Sequence, residues 1–130
     1  MKKKKLLDSF ALLVYLKKGK GHERIKSLLS HDEVILMNEI NLGEVFYILA
    51  RERGMSQAKY FIDVILPSLT IIRIVNGFED VLAAARIKGG HALSFADCFA
   101  TATAIRENAV IITGAPEFKQ LEKEVEIEWI

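Results

Sequence analysis

Short apolar runs of strand length recur along this chain, and a helix-length segment separates each of the first four from the next. The runs lie at residues 4–7, 33–37, 69–75 and 109–113, and residues 125–129 alternate in the manner of an edge strand. Between them, helical apolar spacing occupies residues 9–16, 22–29, 41–53, 56–65, 76–88 and 94–108. Gly19, Gly21, Gly54, Pro67 and the Gly89–Gly90 pair stand where those segments should stop. Strands joined through helices cannot pair as hairpins. They form a parallel sheet by right-handed crossovers, with helices on both faces. Residues 33–37 are almost wholly apolar, as a strand covered on both faces requires. The predicted class is therefore α/β, a three-layer α/β/α sandwich.

At 130 residues the chain is one domain's worth, spanning 1–130. Hydrophobic residues make up 51% and charged residues 27%, a balance that excludes a disordered chain. The lone cysteine, Cys98, excludes an internal disulfide framework and a cysteine-rich zinc site. It fits a reducing, cytoplasmic setting. No apolar run reaches the roughly 20 residues that span a bilayer, so no membrane is expected. The basic opening, Lys2 to Lys5, resembles the start of a signal peptide. The apolar stretch behind it is interrupted by Asp8, Ser9 and Tyr15, and no small-residue cleavage site follows, so it reads as part of the fold. Residues 1–30 hold nine Lys or Arg and two Asp or Glu, whereas the remaining hundred hold nine and fifteen. A basic N-terminal third can meet phosphate, or it can simply be a solvated face.

In an open parallel sheet, ligands bind beyond the carboxyl ends of the strands, where helix N-termini also gather. Four segments place polar groups there. Asp8 follows the first strand, Glu44 falls in the first turn of the helix after the second, Asp97 opens the long helix, and Thr113-Gly114-Ala115-Pro116 follows the fourth strand. Three carboxylates gathered on one edge repel one another, and a cation relieves that repulsion. Oxygen ligands without His or Cys favour Mg²⁺ or Mn²⁺ over zinc. A plainer reading stays open. Asn41-x-x-Glu44 and Ser94-x-x-Asp97 also have the spacing of capping boxes, Asp8-Ser9 can cap the first helix, and Asn76-x-x-Glu79 shows how common the pattern is.

The order of these segments resembles a known family. Leu6-Leu7-Asp8-Ser9-Phe10-Ala11-Leu12-Leu13 looks like the opening of a PIN domain of the kind found in VapC-type toxins. The stretch Asn38 to Tyr47, with Glu44, resembles the second motif; Leu93 to Ala102, with Asp97, the third; Val110 to Phe118 the fourth. The resemblance covers nearly the whole chain. It implies a central sheet of four to five strands and an Mg²⁺- or Mn²⁺-dependent endoribonuclease acting on RNA. It further implies an antitoxin partner and a homodimer. On this chain it makes Asp8, Glu44 and Asp97 metal-binding or catalytic acids, with Ser9 and Thr113 as supporting hydroxyls.

One position departs from the pattern. The acid that follows Thr-Gly in the fourth motif is here Ala115, ahead of Pro116. Pro favours the first helical position, where the preceding residue would cap; Asp caps well and Ala poorly. Three explanations compete: natural loss of activity, deliberate removal, or replacement by Glu117 two residues on, which ranks last because it stands elsewhere on the helix. Lys17, Lys18, Lys20 and Arg24, with Lys2 to Lys5, are candidates for steering an RNA backbone, or are solubilising charge. His22, His31 and His91 are scattered and receive no role. Cys98, Phe118, Trp129 and Met37 read as packing residues. Two alternatives to a nuclease remain: a catalytically silent module binding RNA or an antitoxin, and an unrelated doubly wound domain. The second lacks both a receiver's paired acids and a glycine-rich phosphate loop.

Overall fold

The computed structural model describes residues 3–30 and 33–130. Lys2 and His31 lie outside the described residues. The chain runs β1 (Lys5–Leu7), α1 (Ser9–Lys17), α2 (His22–Ser30), β2 (Ile35–Asn38), α3 (Glu39–Arg53) and α4 (Met55–Tyr60). A π-helical turn (Phe61–Ile65) and the short α5 (Leu66–Ser68) lead into β3 (Ile71–Ile74). Then come α6 (Phe78–Gly90), α7 (Phe95–Glu107), β4 (Val110–Thr113), a 3₁₀ helix (Pro116–Leu121) and β5 (Ile127–Trp129). The five strands form one parallel sheet in the order β3-β2-β1-β4-β5.

Side chains alternate across this sheet and separate two cores. Leu6, Leu36 and Ile111 face α6, α7 and the 3₁₀ helix, packing on Ala84, Cys98, Ala100, Ala104 and Phe118. Leu7, Ile35, Met37, Val110 and Ile112 face the other way, onto α1 to α4 through Leu12, Ile25, Leu28, Val45 and Phe61. This is the expected α/β/α sandwich. The period-2 alternation of a strand delivers successive residues to opposite layers. The small residues of α6 and α7 serve the core, with Ala84 and Ala100 fully buried.

Four helix boundaries differ from the sequence expectation. The third helix starts at Glu39, because Asn38 caps it by accepting from the Ile40 N–H at 2.8 Å. The helical path does not stop before Pro67. The π turn and α5 carry it through to Ser68, with Pro67 inside the continuing path directly after the π turn. The sixth helix starts at Phe78, and Asp80 takes the Gly77 N–H at 2.8 Å. Gly89 and Gly90 lie inside its last turn, and His91 is its cap.

The topology reverses around β1. From it the chain adds β2 and β3 on one side and β4 and β5 on the other. The crevice for a ligand is therefore at the carboxyl ends of β1 and β4.

Candidate active site

The β1–β4 pairing aligns Leu7 with Ile112, so the residues that follow, Asp8 and Thr113, emerge side by side. The Thr113 hydroxyl donates to Asp8 Oδ2, and the Ala11 N–H donates to Oδ1 at 2.8 Å. Asp8 thus caps α1 while buried to 1% exposure. Ser9 Oγ donates to Glu44 Oε1, tying α1 to α3. Asp97 is also buried, in the first turn of α7, where its own N–H donates to Ser94 Oγ at 3.1 Å.

These groups share one cavity of about 420 Å³. Asp8, Glu44, Asp97 and Glu117 all line it, with Ser9, Ser94 and Ala115, and among the described residues no Lys, Arg or His does. The electrostatic consequence is direct. Burial pushes Asp8 up from 3.8 to about 7, against the pull of the Thr113 and Ala11 bonds, with Asp97 and Glu44 adding repulsion. Burial likewise pushes Asp97 up to about 6, with Glu117 and Glu44 adding to the rise. Burial and like charge thus favour the neutral form of both acids, and a bound cation would shift them to the charged form.

That donor set fits a hard divalent cation. It offers carboxylate and hydroxyl oxygen only, and its like charges lack a partner. Among the described residues no three acidic, histidine or cysteine side chains form a ready-made metal cage. Mg²⁺ needs none, since it typically takes one or two carboxylates and keeps several waters.

The site also separates residues that the spacing left ambiguous. Glu44 is not in a first turn and forms no capping box with Asn41. With the helix starting at Glu39 it sits in the second turn, and Asn41 is buried against α7, donating to the Ala96 carbonyl at 3.1 Å. The Asn41 amide oxygen has no partner. Ser94 caps α7 by accepting from the Asp97 N–H, which is the first half of the expected capping box. Asn76 is not a helix cap either. It joins a buried network with Asn38, Glu39 and Thr103. Glu117, ranked last from the sequence, lies on the rim of the same cavity as the three acids. A first turn of 3₁₀ helix after Pro116 brings it back toward Asp97. Ala115 lines the cavity as a buried cap without a side-chain bond. Ser94 and Phe10 were not singled out for the site; Ser94's capping position was the available signal.

The basic residues are partly engaged. Lys17 pairs with Glu52, and Arg24 holds Glu128 with two bonds of 2.6 and 2.9 Å. Lys18 and Lys20 are exposed. His22 and His91 bond to the Gly19 and Ile87 carbonyls, away from the cavity. Phe118 is fully buried, and Trp129 donates to Glu122 at the sheet edge.

Comparison with known proteins matches a PIN-domain family profile over residues 5–124. No curated protein sequence matches the chain. Solved structures with similar folds include the VapBC2 complex of Rickettsia felis bound to a DNA fragment from its promoter, at 19% identity and a TM-score of 0.74, covering 97% of this chain and 98% of that one. Another is VapC20 of Mycobacterium tuberculosis, a sarcin–ricin loop cleaving toxin, at 16% identity and a TM-score of 0.73, covering 89% and 93%. A third is the DNA-bound VapBC of Salmonella typhimurium, at 16% identity and 0.73, covering 98% of both chains.

Proposed function

This chain belongs to the PIN-domain family, and from that premise we propose that it is a metal-dependent endoribonuclease of the toxin type. The observation that carries the reading is the cavity itself. Four carboxylates from four separate segments line it at the carboxyl edge of the sheet, with no basic side chain beside them among the described residues. Capping accounts for Asp8 at the start of α1, but Glu44 stands in the second turn of α3 and caps nothing there, and it still lines the cavity.

Asp8 and Asp97 would hold the cation, with Glu44 binding it or orienting the water. Bound Mg²⁺ or Mn²⁺ lowers the pKa of a coordinated water and neutralises phosphate oxygens. The chain's own residues prepare for that. The Thr113 hydroxyl and the Ala11 N–H fix the Asp8 carboxylate and favour its ionised form. Ser9 fixes Glu44 by one oxygen and leaves the other available. Glu117 adds a fourth carboxylate near Asp97, so the fourth charge comes from the rim and not from position 115. Lys18 and Lys20 supply attraction for the backbone without sequence choice.

Partner-free protein incubated with RNA should cleave it in Mn²⁺ or Mg²⁺ and stop in chelator. Asp97→Asn should abolish that cleavage. Cleavage that persists in chelator would sink the metal reading. A second reading rests on Ala115: a PIN-fold module that binds RNA or a partner without cutting. Cleavage by Ala115→Asp alone would support it for the natural chain. The similar structures of Rickettsia felis and Salmonella typhimurium are VapBC toxin–antitoxin proteins. On that ground an antitoxin partner is part of the proposal, as is a homodimer.

A further inference from the structure

A second cavity lies beside the acidic one. It has a volume of about 260 Å³ and is lined by Phe10, Leu13, Val14, Lys17 and Gly19. Phe10 and Leu13 line both cavities, so the two adjoin along α1. One end holds the carboxylates, the middle is apolar, and the other end is lysine.

Phe10 is placed unusually for its helix. Ser9, Ala11 and Leu12 around it are buried, whereas Phe10 is 41% exposed. Its ring is nevertheless held. A Cβ at Gly114 would come within 2.4 Å of Phe10 Cε1 and 2.9 Å of Cζ. Gly114 has no positive φ, so its backbone does not demand glycine. The ring does. The ring-edge atoms lie over Gly114, in the space a Cβ would take, and much of the residue stays open.

We propose that this groove seats a nucleobase of the RNA substrate, with Phe10 as its stacking platform and the lysines beyond it meeting the neighbouring phosphate. The inference rests on the nuclease reading. Charge decides the occupant. Lys17 lines the outer end and pairs with Glu52, and its chain neighbours Lys18 and Lys20 are exposed. A polyanion is drawn to that end. A basic peptide segment seeking the acids would have to pass the lysines. A fixed aromatic face accepts any base, because each presents a π surface.

The test measures binding of a fluorescein-labelled single-stranded oligoribonucleotide with Ca²⁺ in place of Mg²⁺, together with a series carrying one abasic residue at each position. Phe10→Leu keeps apolar bulk against Gly114 without a π face, and Phe10→Tyr keeps the ring. Thermal melts check that both remain folded. Phe10→Leu should bind the intact RNA roughly 5- to 150-fold more weakly, and Phe10→Tyr about as well as the natural chain. One abasic position should weaken the natural chain by a similar factor and leave Phe10→Leu unchanged. Equal binding by Phe10→Leu and the natural chain overturns the stacking role while leaving the nuclease reading intact. So does an abasic effect of equal size in both. Loss of a co-expressed antitoxin by Phe10→Leu, with RNA binding unaltered, assigns the groove to a protein instead. No RNA binding by the natural chain overturns the nuclease reading itself, and this inference with it.

Discussion

Asp8 answers two demands with one carboxylate. It caps α1, and it lends charge to a cavity that already holds too much. The first demand is met equally well by Asn. The second is not. Asp8→Asn should therefore leave the melting temperature of the metal-free protein at pH 8 unchanged or raised, while cleavage falls at least about 100-fold if, as proposed, that charge holds the metal. A large loss of stability in the melt would contradict that division. The raised pKa values carry a pH dependence of definite sign. Asp8 and Asp97 bind protons more tightly folded than unfolded, so the folded state carries more protons between about pH 4 and 7. Stability of the metal-free protein should fall as pH rises through that window. Millimolar Mg²⁺ at pH 8 should restore it, as calorimetry would show. At position 115 the missing acid and the present one can be compared directly. Glu117→Gln should lower cleavage, and Ala115→Asp should compensate for it in a double variant.

At the scale of elements, the site is built by junctions. The β1–β4 register sets Asp8 beside Thr113, the Ser9–Glu44 bond joins α1 to α3, and the Ser94 cap sets Asp97 in α7. Gly114 is the tightest of these junctions. It meets both the Phe10 ring and the Ile130 carbonyl, which a new Cβ would approach to 3.0 Å. Gly114→Ala should cost about 1–3 kcal/mol, the usual cost of overpacking, measured as a lowered midpoint in urea. Were the midpoint unchanged, the Phe10 ring would not be held as described. Arg24 shows a cation doing structural work where RNA steering was expected. Its two bonds to Glu128 fasten α2 to β5. Both partners are part-exposed, so this ion pair is worth little more than about 1 kcal/mol and weakens with salt.

Across the whole molecule, charge is divided by layer and edge. The carboxylates gather in the crevice beside β1 and β4, and the lysines stand at the end of α1. Under the proposed function an RNA strand would meet both, with a metal between phosphate and acids. Affinity should fall with salt along a log–log slope of roughly −0.7 per phosphate engaged, and Lys18→Ala with Lys20→Ala should make that slope shallower. A slope unaltered by the double variant would place the strand elsewhere. Among the described residues no helix is long and apolar enough to cross a membrane.

The sequence by itself determined the class of fold, because period-2 and helical spacing are local properties that any reader of the chain can follow. It also placed Asp8 directly after a strand and Asp97 in the first turn of a helix, whereas Glu44 comes to the same cavity from the second turn of α3. Where a polar residue competed between capping and charge, spacing was silent. Asn41 and Glu44 have the interval of a capping box, yet Asn38 takes the cap, Asn41 turns to α7 and Glu44 reaches Ser9. Glu117 was underrated for the same reason. Its place depends on how the 3₁₀ turn after Pro116 bends against α7, a relation between segments some twenty residues apart. Burial, which raises two carboxylates and holds one aromatic ring against a glycine, arises only when distant segments pack, and only the tertiary structure decides it.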